Sequence, residues 1–324
     1  NFIGLLTLLY AGTTWKTLDK CFCFKYSKKN TRLVFIFLVK MLKQLSISAG
    51  NLFNKGTSET LRNEITTKKV SIHLPKHLKP ANDSQFGHYL AGLIDGDGHF
   101  SSKQQLIIAF HSLDIQLAYY IKKQIGYGIV RKIKDKNAIL FIIANSKGIE
   151  RVITLINNKF RTTSKYNQII NNIFAHPRFK EFSKTITLGL NSNNNLNNHW
   201  LAGFSDADAS FQIKILNRDK KIEVRLNYQI DQKKEYLLSL IKDNLGGNIG
   251  YRKSQDTYYY GSTSFGSAKK VINYFDNYHL LSSKYISYLK WRKAYLIIQE
   301  NKHLTESGLS QIKKLKTSSL SEEY

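Results

Sequence analysis

The chain has very little cysteine, proline or methionine: 2 Cys, 3 Pro and 1 Met in 324 residues. Cys21 and Cys23 cannot form a disulfide framework, and a single Cys-x-Cys without further ligands is a poor zinc site. The sequence therefore argues against a disulfide-stapled secreted scaffold, and we interpret both cysteines as inert thiols in a reducing compartment. The apolar run from Phe2 to Trp15 is shorter than the roughly 20 residues that a membrane span needs, so we expect no membrane partner.

Acidic residues are also scarce. The 23 Asp and Glu residues stand against 49 Lys and Arg, which leaves a net charge of +26. A surplus of this size repels itself unless a polyanion offsets it, and nucleic acid is the usual polyanionic partner. An AT-rich genome is the alternative explanation, because it enriches Lys, Asn, Ile, Phe and Tyr whatever the function. The 19 Tyr, 18 Phe and the Asn run at 193–195 fit that bias.

One apolar stretch occurs twice in the chain. Residues 88–100 read HYLAGLIDGDGHF, and residues 199–211 read HWLAGFSDADASF. Each copy predicts a helix that ends in Asp-x-Asp. In both helices small residues lie one turn apart: Gly92 and Gly96, then Gly203 and Ala207. Small residues four positions apart share one helix face and allow two backbones to approach closely, so we expect the helices to pack together.

The repeat extends beyond this motif, since Ser164-Lys165-Tyr166 recurs as Ser283-Lys284-Tyr285 and the strand and helix patterns follow in the same order. The sequence predicts an α+β fold in two pseudo-symmetric halves, each a four-stranded antiparallel sheet with helices on one side. The predicted organisation is a poorly ordered extension at 1–80, a first half at 83–175, a linker at 176–195, a second half at 196–300 and a polar tail at 301–324.

A strand of the second half alternates apolar and polar residues from Ile222 to Ile230. The apolar set is predicted to pack on helices and the polar set to lie on an open face. Arg, Lys, Asn and Gln match base edges in the major groove, although an ordinary solvated face would look similar. The predicted DNA-contacting residues are Gln212, Lys214, Arg218, Glu223, Arg225, Asn227, Gln229, Arg252 and Lys253, with Arg131 and Lys132 in the first half. Strands of the first half are more apolar, and contacts there are less readily assigned.

Asp97 and Asp208 end the two motif helices. A carboxylate at a helix C-terminus lies in an unfavourable potential, and two carboxylates brought together repel each other. Divalent cations relieve both effects, and two acids with metal ions beside a basic surface suit phosphodiester hydrolysis. Asp-Gly-Asp-Gly also occurs in calcium loops, but the other ligand positions of an EF-hand are missing. An Asp before a turn is also common structural punctuation, and the matched second copy favours catalysis.

On these motifs the chain resembles the double-motif LAGLIDADG homing endonucleases and maturases, most closely those encoded in group I introns of fungal mitochondrial genes. The likeness covers about residues 83–300, and the second motif departs from the pattern at Ser205 and Ala209. The resemblance implies two αββαββα half-domains that form a DNA-binding saddle, with the motif helices at their interface. It also implies a monomer with an internal pseudo-twofold axis.

The resemblance implies roles for individual residues as well. Residues that would hold Mg²⁺ are Asp97 and Asp208, together with Gly96 and Ala207. Lys165 and Lys284 would lie beside the scissile phosphates. Gln232 would join the metal–water network, and in the first half Asp114 stands where a matching glutamine is expected.

The implied activity is a staggered double-strand cut at a long asymmetric target, the intronless allele, which promotes intron mobility in the mitochondrial matrix. The alternative is a maturase that binds its own group I intron RNA and assists splicing, and one protein can do both. Retention of both Asp97 and Asp208 favours the endonuclease.

Overall fold

The computed structural model describes residues 69–218 and 221–320. Residues 1–68, which include both cysteines and most of the predicted extension, lie outside this part, as do Asp219 and Lys220. Among the described residues, no helix has both the length and the apolar character needed to cross a membrane.

The first half contains four helices and four strands. In chain order these are α1 (Asp83–Asp97), β1 (Gly98–Phe100), β2 (Leu106–His111), α2 (Ile115–Ile125), β3 (Ile129–Lys132), β4 (Ala138–Ile143), α3 (Ser146–Ile156) and α4 (Thr163–Gln168). Helix α4 continues as a π-helical turn over Ile169–Phe174. The N-cap of α1 is Asn82, whose side chain accepts from the backbone N–H of Gln85. Gly126 ends α2 with a φ of 84°, a conformation that glycine adopts without a Cβ penalty.

The second half repeats this order. Its elements are α6 (Trp200–Asp208), β5 (Ala209–Arg218), β6 (Lys221–Gln232), α7 (Tyr236–Leu245), β7 (Asn248–Arg252), β8 (Thr257–Gly261), α8 (Phe265–Phe275) and α9 (Lys284–Gln299). Its hairpin β5–β6 is much longer than the hairpin β1–β2 of the first half.

Each half contains one antiparallel four-stranded sheet, in the orders β1-β2-β4-β3 and β5-β6-β8-β7. The sheet register places alternate residues on one face, and this face is buried: Leu106, Ile108 and Phe141 are fully enclosed in the first half. The buried face of the second sheet contains Leu226, Tyr228 and Ile230. Helices cover these faces and leave the opposite face of each sheet open, so the predicted fold class is confirmed.

The motif helices α1 and α6 pack with their backbones in close contact. A Cβ on Gly92 would collide with the carbonyl oxygen of Trp200, and a Cβ on Gly203 would collide with the carbonyl oxygen of Tyr89. Glycine is therefore required at both positions by space. The predicted interface of small residues is present.

The segment between the halves is more structured than the predicted linker. It contains a 3₁₀ turn (Pro177–Phe179) and helix α5 (Lys180–Thr185), and the ring of Phe179 is fully buried. In the following Asn-rich run, three backbone N–H groups donate to the Asn side chain two residues earlier, at 2.6–2.9 Å: those of Asn193, Asn195 and Asn197. Asn side chains readily make such local bonds, so this polar run follows a defined path.

Residues 69–80 fall within the predicted poorly ordered extension at 1–80, and the structure describes specific contacts for them. The side chain of Gln299 bonds both the N–H and the carbonyl of Val70, at 2.8 and 3.1 Å. Arg292 forms a buried ion pair with Asp276 at 2.9 Å and donates to the carbonyl of Ser71 at 3.0 Å. The segment is therefore tied to α9 of the second half before α1 begins the first.

Part of the predicted polar tail at 301–324 is helical. Residues Glu306–Leu320 form helix α10, and Ile312 on this helix is fully buried. One apolar contact surface in an otherwise polar sequence is enough to dock a helix on the core, because most helical stability in proteins comes from packing.

Candidate active site

Asp97 and Asp208 lie together where α1 and α6 end. Oδ2 of Asp208 is 2.9 Å from the position that a Cβ on Gly96 would take, and the methyl group of Ala207 fills the remaining space beside Gly96. The small residues of the motif therefore bring the two carboxyl groups side by side. This is the arrangement that the repeated Asp-x-Asp predicted.

The charge of Asp97 acts on the carboxyl group of Asp208. Burial, and after it the charge of Asp97, raises the pKa of Asp208 from 3.8 to about 6. Burial also raises the pKa of Asp97, although part of this side chain remains exposed, while the cations of Lys284 and Lys165 oppose the rise. A site that resists the ionised form of two adjacent carboxyl groups gains free energy when a cation binds.

Lys165 and Lys284 both lie within the field of the acid pair. Burial lowers the pKa of each lysine, and Asp97 and Asp208 are among the carboxylates that oppose this shift. Nζ of Lys284 donates to the carbonyl oxygen of Ala207 at 2.6 Å and is 3.3 Å from that of Ser205. The carbonyl of Ala207, a predicted metal-binding position, is thus already bonded to an ammonium group.

The two halves of the site differ in the partner of the acid. Nε2 of Gln232 donates to Oδ2 of Asp208 at 2.7 Å, which agrees with the predicted place of Gln232 in the site. In the sheet register Gly98 pairs with Ile108 and Ala209 with Ile230, so the first-half counterpart of Gln232 is Phe110.

Asp114 is therefore not the equivalent of Gln232. It instead accepts from the backbone N–H of Ser283 at 2.6 Å, next to the start of α9. Asp114 lies in the 3₁₀ turn Ser112–Asp114 beyond the end of β2, whereas Gln232 lies within β6 and pairs with Tyr258. The site is pseudo-symmetric in its acids and lysines and asymmetric in the residues around them.

The first aspartate of each motif, Asp95 and Asp206, was not assigned a role by sequence analysis. Both are buried, and each accepts from the segment that leads into α4 or α9: from the N–H of Arg161 at 2.8 Å and of Leu281 at 2.7 Å. Each also accepts from an aromatic residue of the other motif helix.

The two cross-helix bonds are related by the pseudo-symmetry. Nε1 of Trp200 donates to Asp95 at 2.8 Å, and the hydroxyl of Tyr89 donates to Asp206 at 2.6 Å. Burial raises the pKa of both acids and the hydrogen bonds oppose the rise. Asp95 and Asp206 thus join the two halves and fix the approach to Lys165 and Lys284. The doubled Asp in both motifs is the sequence signal for this role.

The open face of the second sheet carries most of the predicted DNA contacts. Strand pairing places Gln212 opposite Asn227, Lys214 opposite Arg225 and Ser210 opposite Gln229, all on this face. Nε of Arg225 bonds Glu223 at 2.6 Å along the same strand. These polar groups form one continuous surface.

Four of the predicted residues in the second half do not simply present a free side chain on this face. Asn227 is only 4% exposed, and its Nδ2 donates to the side-chain oxygens of Gln229 and Gln212 at 3.1 and 3.3 Å, so it orients these amides from beneath. Arg252 bonds Asp231 at 2.8 Å, and Lys253 lies in the exposed turn that follows β7. The side chain of Arg218 lies outside the described part of the structure.

In the first half the register separates the two predicted cations. Arg131 pairs with Leu140 on the open face, whereas Lys132 pairs with the buried Ile139 and is directed to the helix-covered side at the sheet edge. Adjacent residues of a strand point to opposite faces, so the two cannot contact one ligand on the open face together.

Two packed helices that each end in a carboxylate, between two antiparallel sheets, define a class of nuclease fold. The chain belongs to the LAGLIDADG endonuclease family. The family's sequence model, described as LAGLIDADG endonuclease, matches residues 90–175 and 201–295, one copy in each half. The chain is 98% identical over 314 residues to the "Uncharacterized cox1 intron-2 37.2 kDa protein" of Schizosaccharomyces pombe, and the match covers 97% of both chains.

More distant relatives carry two different names. The "Intron-encoded DNA endonuclease aI3" of Saccharomyces cerevisiae is 27% identical, over 67% of this chain and 65% of that protein. The "Intron-encoded RNA maturase bI4" of the same yeast is 25% identical, over 71% of this chain and 33% of that protein. The fold is similar to that of the LAGLIDADG meganuclease I-CpaMI, solved bound to uncleaved DNA, with a TM-score of 0.58 at 21% identity over 72% of this chain and 98% of that one.

Proposed function

We propose that the chain is a homing endonuclease that makes a site-specific double-strand cut in DNA. The observation that carries this proposal is the pair of Asp97 and Asp208, held side by side with Lys165 and Lys284 at the junction of two open sheets. Two acids with two cations at a duplex-sized surface suit hydrolysis of one phosphodiester in each strand.

Magnesium is the proposed cofactor. The described residues contain no cluster of three or more His, Cys, Asp or Glu side chains suited to hold a metal. Mg²⁺ does not require one, since it commonly binds through one or two carboxylates together with water and substrate phosphates. Asp97 and Asp208 would hold the ion, with the backbone at Gly96 and Ala207 beside them. Bound there, it supplies Lewis-acid polarisation of the phosphate and activation of water.

The remaining site residues would compensate charge on the phosphates and orient the carboxyl group of Asp208. Lys165 and Lys284 would offset the negative charge that develops on the phosphates. The bond from Gln232 to Oδ2 would orient the carboxyl group of Asp208. The ammonium of Lys284 would have to leave the Ala207 carbonyl if that oxygen were to face a metal ion.

The proposed substrate is a long, asymmetric DNA target. A single chain with two non-identical sheets would bind two different half-sites, and a net charge of +26 favours a polyanion. The near-identical relative bears the name of a cox1 intron, which supports the intronless cox1 junction as target, intron mobility as the result and the mitochondrial matrix as the location. Internal pseudo-symmetry supports action as a monomer.

A maturase activity on group I intron RNA is the second candidate. One relative is named an RNA maturase, and a basic surface binds RNA as well as DNA. This activity and DNA cleavage are compatible in one chain.

The endonuclease is tested with purified protein, Mg²⁺ and a duplex that spans the intronless junction. We expect one staggered cut, and Asp97→Asn or Asp208→Asn should each remove it. Asp243→Asn, a change of an exposed acid on α7, is the matched control and should leave cleavage intact. Unchanged cutting by either site variant would disprove the assigned roles. For the maturase, splicing of the host intron is compared with and without the chain, and equal splicing would exclude that activity.

A further inference from the structure

The open face of the first sheet is largely apolar. Strand pairing places five aliphatic residues on it: Ile107, Ala109, Ile129, Leu140 and Ile142. They lie opposite the buried face, and the side chain of Ile129 is 53% exposed. Surfaces of this kind on soluble proteins mark interaction sites.

The second sheet differs at the corresponding positions. Because Gly98 pairs with Ile108 and Ala209 with Ile230, Ile107 corresponds to Gln229. Continued through the edge strands, the same register matches Ile129 with Asn248. At these two positions the second half presents an amide side chain and the first half presents an isoleucine.

We infer that the first half recognises its half-site mainly through thymine methyl groups, so that this half of the target is rich in A·T pairs. The inference rests on the proposed function and specifies the substrate. The thymine C5-methyl is the apolar group that the bases display in the major groove. A G·C pair displays only polar groups there, and an aliphatic surface would leave them without hydrogen-bond partners.

The position and charge of this face favour DNA as its occupant. The face begins directly after Asp97, so a duplex centred on the acid pair passes over it as over the second sheet. Strands β1–β4 contain no Asp or Glu, and Arg131 lies on the open face. An apolar surface bordered by positive charge fits the major groove of DNA, where thymine methyl groups lie between the two phosphate backbones.

The test replaces thymine by deoxyuridine, which removes the methyl group and keeps the base pair. Duplexes that bind the full chain are selected from a random pool with Ca²⁺ in place of Mg²⁺, and thymines are then replaced in one half-site at a time. We expect each replacement in the half-site of the first sheet to weaken binding about fourfold, the factor for one buried methyl group. Replacements in the other half-site should change binding less than twofold.

Reciprocal variants identify the half-sites. Ile129→Asn gives the first half the residue that the second half has at this position. In this variant, replacement of one particular thymine by deoxyuridine should weaken binding less than it does in the parent. Asn248→Ile is the matched change in the other sheet and should leave that effect unaltered. Ile129 is an exposed edge residue, so the fold should tolerate the change, and the replacements made in the DNA depend on no variant at all.

Equal sensitivity of both half-sites to uracil, or selected duplexes without thymine on the first-half side, would overturn the inference and leave the endonuclease proposal standing. Failure to select any duplex would overturn both.

Discussion

Asp208→Asn should make the metal-free protein more stable while it removes catalysis. The fold raises the pKa of this carboxyl from 3.8 to about 6, through burial and then the charge of Asp97. A rise of about two units at 1.36 kcal/mol per unit gives an upper limit of about 3 kcal/mol. Because the carboxyl is partly exposed, solvent screening reduces the expected gain to about 2 kcal/mol.

The pH dependence follows from the direction of the shift. The folded state binds the Asp208 proton more tightly than the unfolded state does, so folding is favoured while the group is protonated. This contribution is complete below pH about 4 and is lost as the pH rises through about 6. The difference in unfolding free energy between Asp208→Asn and the parent should therefore grow between pH 4 and 6 and stay constant above.

The assay is urea unfolding in EDTA at pH 4 and pH 8, followed by circular dichroism. Asp243→Asn is the control and should change the free energy of unfolding by no more than about 0.5 kcal/mol, as exposed substitutions usually do. Mg²⁺ at about 100 times its dissociation constant should stabilise the parent by about 2.7 kcal/mol and the Asp208→Asn variant by less. The reasoning is refuted if the variant gains no stability at pH 8 in EDTA, or if any gain is equal at both pH values.

Three further predictions concern packing and binding. Gly92→Ala should lower the free energy of unfolding by more than about 3 kcal/mol, because the added methyl group meets a backbone carbonyl. Gly126→Ala has open space around it and should cost only about 1 kcal/mol, because of its positive φ. The two variants are compared by their midpoints of urea unfolding. Trp200→Phe removes one donor from the buried Asp95 and should cost about 1–3 kcal/mol in the same assay, and an unchanged midpoint would contradict the bonding described. Lys214→Ala should weaken DNA binding evenly across sequences and lower the salt slope by about one, and a change confined to one base pair would indicate direct base contact instead.

Much of the candidate site could be predicted from the sequence. Asp97 and Asp208 end repeated helices whose small residues lie on one face, and this local pattern determines that two backbones can meet and that two carboxyl groups meet with them. The alternation from Ile222 to Ile230 likewise indicated which face of β6 is open. Such features depend on periods of two and about four residues, which a single sequence displays directly.

The sequence by itself determined the repeat, the elements and the acid pair, and the tertiary structure decided which residues surround that pair. Phe110 stands opposite Gln232 because strand register, and not distance along the chain, sets equivalence between the halves. Trp200 reaches Asp95 across 105 positions, and Gln299 holds Val70 across 229. Partners this far apart leave no local pattern, because their contact arises only when separate elements pack around a common core.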